Sequence, residues 1–194
     1  MGKPERRQQI LSAAREVFGK RGYHAAKIDD IVAAAGIARG TFYLYFEDKR
    51  AILEEIVDRT MARLGMSIVR VDPHDPARTV ADQVRENILR VIRILREDRA
   101  TTKILLSDAL GVDPAFDRKL LSFFDEMASL LERSLLDGQA LGIVGPGDVR
   151  LLSWLTIGAV KEVSFQIVQR GSEYDEAKLV DGIFALFANG YLRV

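Results

Sequence analysis

Residues 27 to 50, KIDDIVAAAGIARGTFYLYFEDKR, constrain the fold more than any other stretch of the chain. Asp29 and Asp30 suit a helix N-terminus, where the backbone dipole stabilises negative charge. Ile31, Val32 and Ala35 form a short apolar stripe, and Gly36 suits the left-handed conformation that closes a helix. A second helix is expected over RGTFYLYF, Arg39 to Phe46, and a further helix opens after Asp48. Helix, glycine turn, helix is the helix-turn-helix arrangement.

At 100° per residue, Phe42 and Phe46 point together and are the expected core contacts. Gly40, Thr41 and Leu44 lie roughly opposite, with Tyr43 and Tyr45 on the flanks. A face of Gly, Thr and Leu suits a nucleic-acid groove better than bulk water. Glycine allows close backbone approach, and Thr or Leu carbons can meet a thymine methyl. The tyrosine hydroxyls can donate to phosphates. Arg39 is the one side chain here able to make a bidentate contact with guanine. A small helical hairpin with exposed tyrosines is the alternative that these residues alone leave open.

Gly22-Tyr23, Ile28-Asp29-Asp30-Ile31, Ala35-Gly36-Ile37, Gly40 to Phe46 and Asp48-Lys49 together resemble the N-terminal domain of the TetR family of bacterial transcriptional regulators. The resemblance covers about the first 55 residues. It implies that Arg39, Gly40, Thr41, Tyr43 and Tyr45 meet DNA and that Lys49 meets a phosphate; Leu44 joins them through its place on the outer face. Two positions depart from the family pattern: Lys27 and Ala38 stand where a hydroxyl residue is usual. Both changes remove a potential helix cap. Lys27 can still offer a point charge to a phosphate, whereas Ala38 has no such group.

Charge distribution agrees with this division of labour. Residues 1 to 50 hold ten Lys or Arg against six Asp or Glu, while the other 144 hold 18 against 22. Phosphate binding therefore belongs to the N-terminal segment. The first helix is expected from about Pro4 to Lys20, burying Ile10, Ala13, Ala14, Val17 and Phe18. Lys3, Arg6 and Arg7 either reach DNA or form a solvated helix start.

The chain has no Cys, few prolines and no period-two strand pattern, so the expected fold is all-α. A three-helix helix-turn-helix domain is expected over residues 1–48 and a larger helical ligand-sensing and dimerisation domain over 49–194. The fourth helix should run from Lys49 to Val71 with no flexible linker. Asp75-Pro76 and Asp113-Pro114 read as helix starts. No signal peptide pattern is present, which points to the cytoplasm.

Leu151 to Val168 and Leu179 to Leu192 read as helices apolar on every side, which must be covered on every side. Lys161 and Glu162 in mid-segment argue against a membrane. A two-fold homodimer is the expected solution, with Trp154, Val160, Phe184, Phe187 and Tyr191 at its interface; the family resemblance implies a four-helix interface of this kind. Phe123, Met127, Trp154 and Phe165 are the candidate lining of an effector site. The resemblance further implies a repressor released from a pseudo-palindromic operator by an apolar small molecule. An enzyme is disfavoured because no metal pair, phosphate loop or nucleophile motif occurs and only His24 and His74 are present, and no cofactor is expected. The rival reading is an architectural DNA-binding protein whose C-terminal domain docks another protein.

Overall fold

The computed structural model describes residues 2–108, 111–171, 173–190 and 192, and among these there are nine α-helices. They are α1 (Lys3–Arg21), α2 (Ile28–Ala35), α3 (Arg39–Tyr43), α4 (Lys49–Ser67), α5 (Val80–Glu97), α6 (Arg99–Lys103), α7 (Pro114–Ala140), α8 (Val149–Arg170) and α9 (Glu176–Gly190). A single π-helical turn, Ile104–Asp108, follows α6. Among the described residues there is no strand, only an isolated bridge between Val144 and Leu192. The all-α expectation holds.

Contacts divide the chain into two units, Met1–Ala62 with Asp98–Lys119, and Arg63–Glu97 with Leu120–Val194. The first unit thus extends beyond the segment 1–48 expected from sequence, taking in much of α4 together with α6. In it α1 packs against α2 and α6. Ile10, Ala14, Phe18, Ile31, Phe42, Ile52, Leu53 and Val57 are fully buried there. Gly19 lets α1 approach α6 closely: a Cβ at this position would stand 2.8 Å from the Ala100 Cβ.

Helix starts follow side-chain chemistry, with one change from expectation. Asp113 caps α7 as its sequence predicts: its Oδ1 accepts from the Ala115 and Phe116 N–H groups, each at 2.9 Å. The Arg50 guanidinium donates to its other oxygen. These bonds, Arg50 foremost, hold the Asp113 carboxyl at about 2, below its ordinary 3.8. Asp75, by contrast, does not start α5. It accepts from the Ala77 N–H and from Arg78 within a turn. The start moves to Thr79, whose Oγ1 accepts from the Asp82 N–H at 3.1 Å while Asp82 accepts from the Thr79 N–H at 3.1 Å. That reciprocal box satisfies two otherwise orphaned donors and outcompetes the lone Asp-Pro signal.

Helix α4 ends at Ser67, four residues before the expected Val71. The Asn87 side chain takes over the following backbone, accepting from the Val69 N–H at 3.0 Å and donating to its carbonyl at 2.7 Å. Gln83, nearly inaccessible, does the same for Asp72, with both bonds at 2.8 Å. In the second unit α5, α8 and α9 close around Ile88, Ile92, Ile167, Leu179, Val180, Ile183, Phe184 and Phe187.

Two outcomes test this packing. Gly19→Ala should lower the stability of the first unit by about 1–2 kcal/mol, because overpacking against Ala100 outweighs the helix propensity that alanine normally adds. A thermal midpoint equal to or above that of the parent chain would contradict the close approach. For Asp113 the folded carboxyl titrates below its unfolded value, so its stabilising contribution is complete above 3.8 and is lost as pH falls from there to about 2. Asp113→Asn should therefore flatten the acid limb of a melting-temperature profile over that window.

Candidate nucleic-acid interface

The turn between α2 and α3 is built by backbone bonds around Gly36. Its φ of 62° and ψ of 40° put it in the left-handed region, and the Ile37 N–H reaches back to the Val32 carbonyl at 3.2 Å. A Cβ at Gly36 would touch nothing within 4 Å, so conformation alone calls for glycine here. At the other end of α2 the Lys27 side chain makes no cap. Instead Asp30 accepts from the Lys27 N–H at 3.0 Å and pairs with Arg21 at 3.2 Å.

Helix α3 is one turn shorter than the stretch Arg39 to Phe46 expected from sequence, and its last residues tighten. Tyr45 N–H bonds to the Phe42 carbonyl at 2.9 Å, and Phe46 N–H shares that carbonyl at 3.1 Å. The predicted facial division survives. Phe42 and Phe46 are buried, with ring centroids 6.2 Å apart. Arg39, Gly40, Tyr43 and Leu44 are exposed, Leu44 to 81%, and Thr41 and Tyr45 are half-buried. A Cβ at Gly40 would meet nothing within 4 Å, so the space over this residue is open to a partner surface. Leu44 stands bare at the centre of a small face flanked by polar groups.

Arg39 does not wander free over that face. Its Nη1 donates to Asp29 Oδ1 at 2.6 Å, its Nη2 lies 3.4 Å from the Tyr43 hydroxyl, and its guanidinium carbon sits 6.0 Å from the Tyr43 ring centroid. The Tyr43 bond and the Asp29 charge raise its pKa above an already high value. The sequence reading did not bring out Asp29 as its partner, although α2 and α3 meeting across one turn makes such a pair reachable.

Two cations expected near phosphate are engaged inside the fold. Lys49 Nζ donates to three backbone carbonyls, those of Tyr23 at 2.8 Å, His24 at 3.2 Å and Ala26 at 3.0 Å. It also stands 4.5 Å over the Tyr23 ring. All three ammonium donors have partners, so a phosphate contact would break one of these bonds. Arg7 donates to Glu55 and to the Tyr45 carbonyl, the latter at 2.8 Å, with its guanidinium 4.2 Å over the Phe46 ring. Arg7 is therefore a strut of the domain rather than a solvated helix start. Lys3, Arg6 and Lys27 stand in no ion pair among the described residues.

The other predicted positions fall into two groups. Phe123 is buried on α7, with Phe124 edge-on at 5.4 Å, and Met127 and Phe165 are half-buried. Lys161 Nζ lies 5.2 Å from the Phe124 ring. Trp154, expected among them, is 53% exposed and faces Arg150 at 5.2 Å, so it lines no interior in its own chain. The interface assignments also need correction. Phe184 and Phe187 are buried in the core of their own chain and Val160 packs against that core, because α5 covers the face of α9 that the sequence left unpartnered. Tyr191 lies outside the described residues. The large apolar residues exposed on these helices are Leu151, Trp154, Leu155 and Leu186. Their spacing of three and four along α8 was the signal available in sequence. Helix α8 is long and apolar enough to cross a bilayer by length and composition, but Lys161 and Glu162 stand near its middle.

Comparison with known proteins agrees with this geometry. Residues 10–56 match the family described as bacterial regulatory proteins, tetR family. Over 191 residues the chain is 34% identical to the uncharacterized HTH-type transcriptional regulator YdgC of Bacillus subtilis (strain 168), covering 97% of this chain and 93% of that protein. It is 26% identical over 184 residues to the fatty acid metabolism regulator protein of the same organism, covering 94% and 93%. The crystal structure of the transcriptional regulator FadR from Bacillus subtilis in complex with stearoyl-CoA superposes with a TM-score of 0.74 at 25% identity, covering 94% of this chain and 98% of that one.

The carbonyl clasp made by Lys49 generates its own expectation. Lys49→Met should lower the thermal stability of the first unit, by about 1–3 kcal/mol for the loss of charge-assisted bonds to three carbonyls. Unchanged melting combined with weaker DNA binding would return Lys49 to a phosphate-contacting role.

Proposed function

The chain belongs to the TetR family of bacterial transcriptional regulators, and from that premise we propose that it acts in the cytoplasm as a homodimeric repressor, released from a pseudo-palindromic operator by an apolar effector. It is a DNA-binding regulator of transcription, and none of its sequence motifs belongs to an enzyme. The observation that carries the DNA reading is the outer face of α3. Arg39, Gly40, Tyr43 and Leu44 are exposed on it while Phe42 and Phe46 hold the helix from beneath. Glycine with open space above it admits the backbone to a major groove, Leu44 suits a thymine methyl, and Arg39 suits guanine. The hydroxyls of Tyr43 and Tyr45, the charge of Lys27 and the Thr41 side chain supply phosphate contacts that fix register.

Homodimerisation is supported by the apolar stripe of α8 and the outer face of α9. Leu151, Trp154, Leu155 and Leu186 are about half exposed. Between them Gly158 and Gly182 carry no neighbour within 4 Å of a built Cβ. Exposed bulky groups together with glycines that leave room for close approach suit two copies of the same helix pair packing about a two-fold axis. The consequence is two α3 faces set to read half-sites about one helical turn apart, ~34 Å.

The effector reading rests on the second unit and on the relatives. Phe123, Met127 and Phe165 give α7 and α8 apolar side chains that are not all fully covered. The relative bound to stearoyl-CoA, alike over nearly the whole length, supports an effector with an acyl chain. Such a ligand releases DNA only through a higher affinity for the conformation whose recognition helices are wrongly spaced.

One experiment separates the interface from the core. Leu155→Glu with Leu186→Glu should leave folding intact, since both side chains are exposed, yet give a sedimentation mass of one chain and abolish selection of a palindrome from random duplexes. Phe184→Glu should instead unfold the second unit, since it puts a carboxylate into an apolar core. A wild-type chain that sediments as a monomer, or a double variant that remains dimeric, removes the proposed interface. Dimers that enrich no palindrome, or whose affinity no long-chain acyl-CoA alters, favour an architectural role.

A further inference from the structure

Asp29, in the first turn of α2, makes no hydrogen bond within its own helix among the described residues. Its neighbour Asp30 accepts from the Lys27 N–H and pairs with Arg21. Asp29 caps nothing, and Arg39 is its sole polar partner among the described residues, at 2.6 Å. Both side chains are mostly exposed, 68% for Asp29 and 58% for Arg39. An ion pair so open to water contributes little to folding. What the pair does give is a position: the guanidinium lies beside Asp29 and within reach of the Tyr43 hydroxyl on the exposed face.

We propose that Asp29 determines sequence specificity by holding Arg39 in a fork directed at a base edge and withholding it from phosphates. The inference rests on the DNA-binding reading of α3 given above. Arg39 has five N–H donors. Asp29 engages one on Nη1, and the Tyr43 hydroxyl lies within reach of Nη2. The donors that remain suffice for a bidentate contact with guanine O6 and N7. Fixing the fork beforehand removes rotamer freedom that a free arginine would lose on binding.

The same pair discriminates against non-specific DNA. Binding to random sequence is driven by cations that neutralise phosphates and release counterions. Arg39 paired with Asp29 is locally neutral, and the carboxylate repels the backbone, so the pair adds little to that term. A guanine in register meets the remaining donors while the Asp29 bond stays intact. Removing the carboxylate should therefore strengthen binding to random sequence through the added positive charge, while on the operator the lost pre-organisation opposes that gain.

The test measures affinity for a selected operator and for a random duplex across a salt series, for the full chain and for Asp29→Asn, Asp29→Glu, Arg39→Ala and Arg39→Ala with Asp29→Asn. In Asp29→Asn the operator-to-random ratio should fall by roughly five- to tenfold and the salt slope on random DNA should steepen by about one phosphate contact. Base enrichment at one symmetric operator position should flatten. Asp29→Glu keeps the charge and moves the carboxylate, so it should alter base enrichment without changing the salt slope. With Arg39 already removed, Asp29→Asn should change both affinities by the same factor. A ratio and base preference in Asp29→Asn equal to those of the parent chain overturn the proposal while leaving the regulator reading intact. If the parent chain enriches no sequence, the reading beneath the proposal fails as well.

Discussion

Helices of eight and five residues cannot hold themselves in water, and α2 and α3 are that short. The recognition face exists only because longer elements fasten them. Much of the fastening is done by side-chain donors that reach backbone carbonyls. Gln9 of α1 donates to the Ala35 carbonyl at 2.7 Å, closing α2, and Arg7 donates to the Tyr45 carbonyl just beyond α3. Lys49 gathers the carbonyls of Tyr23, His24 and Ala26 ahead of α2. Buried Phe42 and Phe46 add apolar anchorage from below. Each of these groups serves the reading surface without belonging to it.

The cost of that fastening is measured in charge. The N-terminal segment has more cations than anions, yet Arg7, Arg15, Arg21, Arg39 and Arg50 each stand in an ion pair. Arg50 joins Glu54 and Asp113, and Lys119 joins Glu54 and Asp58, so the first unit carries a connected network along α4. Its partly exposed members contribute more to fixing geometry than to net stability. Of the cations of this segment, Lys3, Arg6 and Lys27 stand in no ion pair among the described residues. A field this modest favours recognition through shape and base contacts over general adhesion to nucleic acid.

The second unit separates two kinds of apolar surface that look alike in sequence. Phe184, Phe187, Ile183 and Val180 close against α5 and α8. Leu151, Trp154, Leu155 and Leu186 stay open. The first set holds the unit together and the second is open to solvent. Trp154 illustrates the distinction: a bulky aromatic in a helix rich in apolar residues reads as interior, yet its side chain lies on the outside beside Arg150.

Local rules determined much of this protein. The helical periods, the glycine turn at Gly36, the Asp113-Pro114 start and the inward placing of Phe42 and Phe46 all follow from backbone conformation and side-chain spacing over a few residues. The exposed positions of α3 were legible for the same reason, since one helix face is fixed once its opposite is known. Tertiary structure alone decided which cations stay free, because Lys49, Arg7 and Arg39 find partners 26, 48 and 10 residues away. It also decided which side of α9 is covered, since α5 lies on Phe184 and Phe187, far ahead of them in the chain. Hydrophobic pattern states that a face must be buried, but only the packing of distant segments states against what.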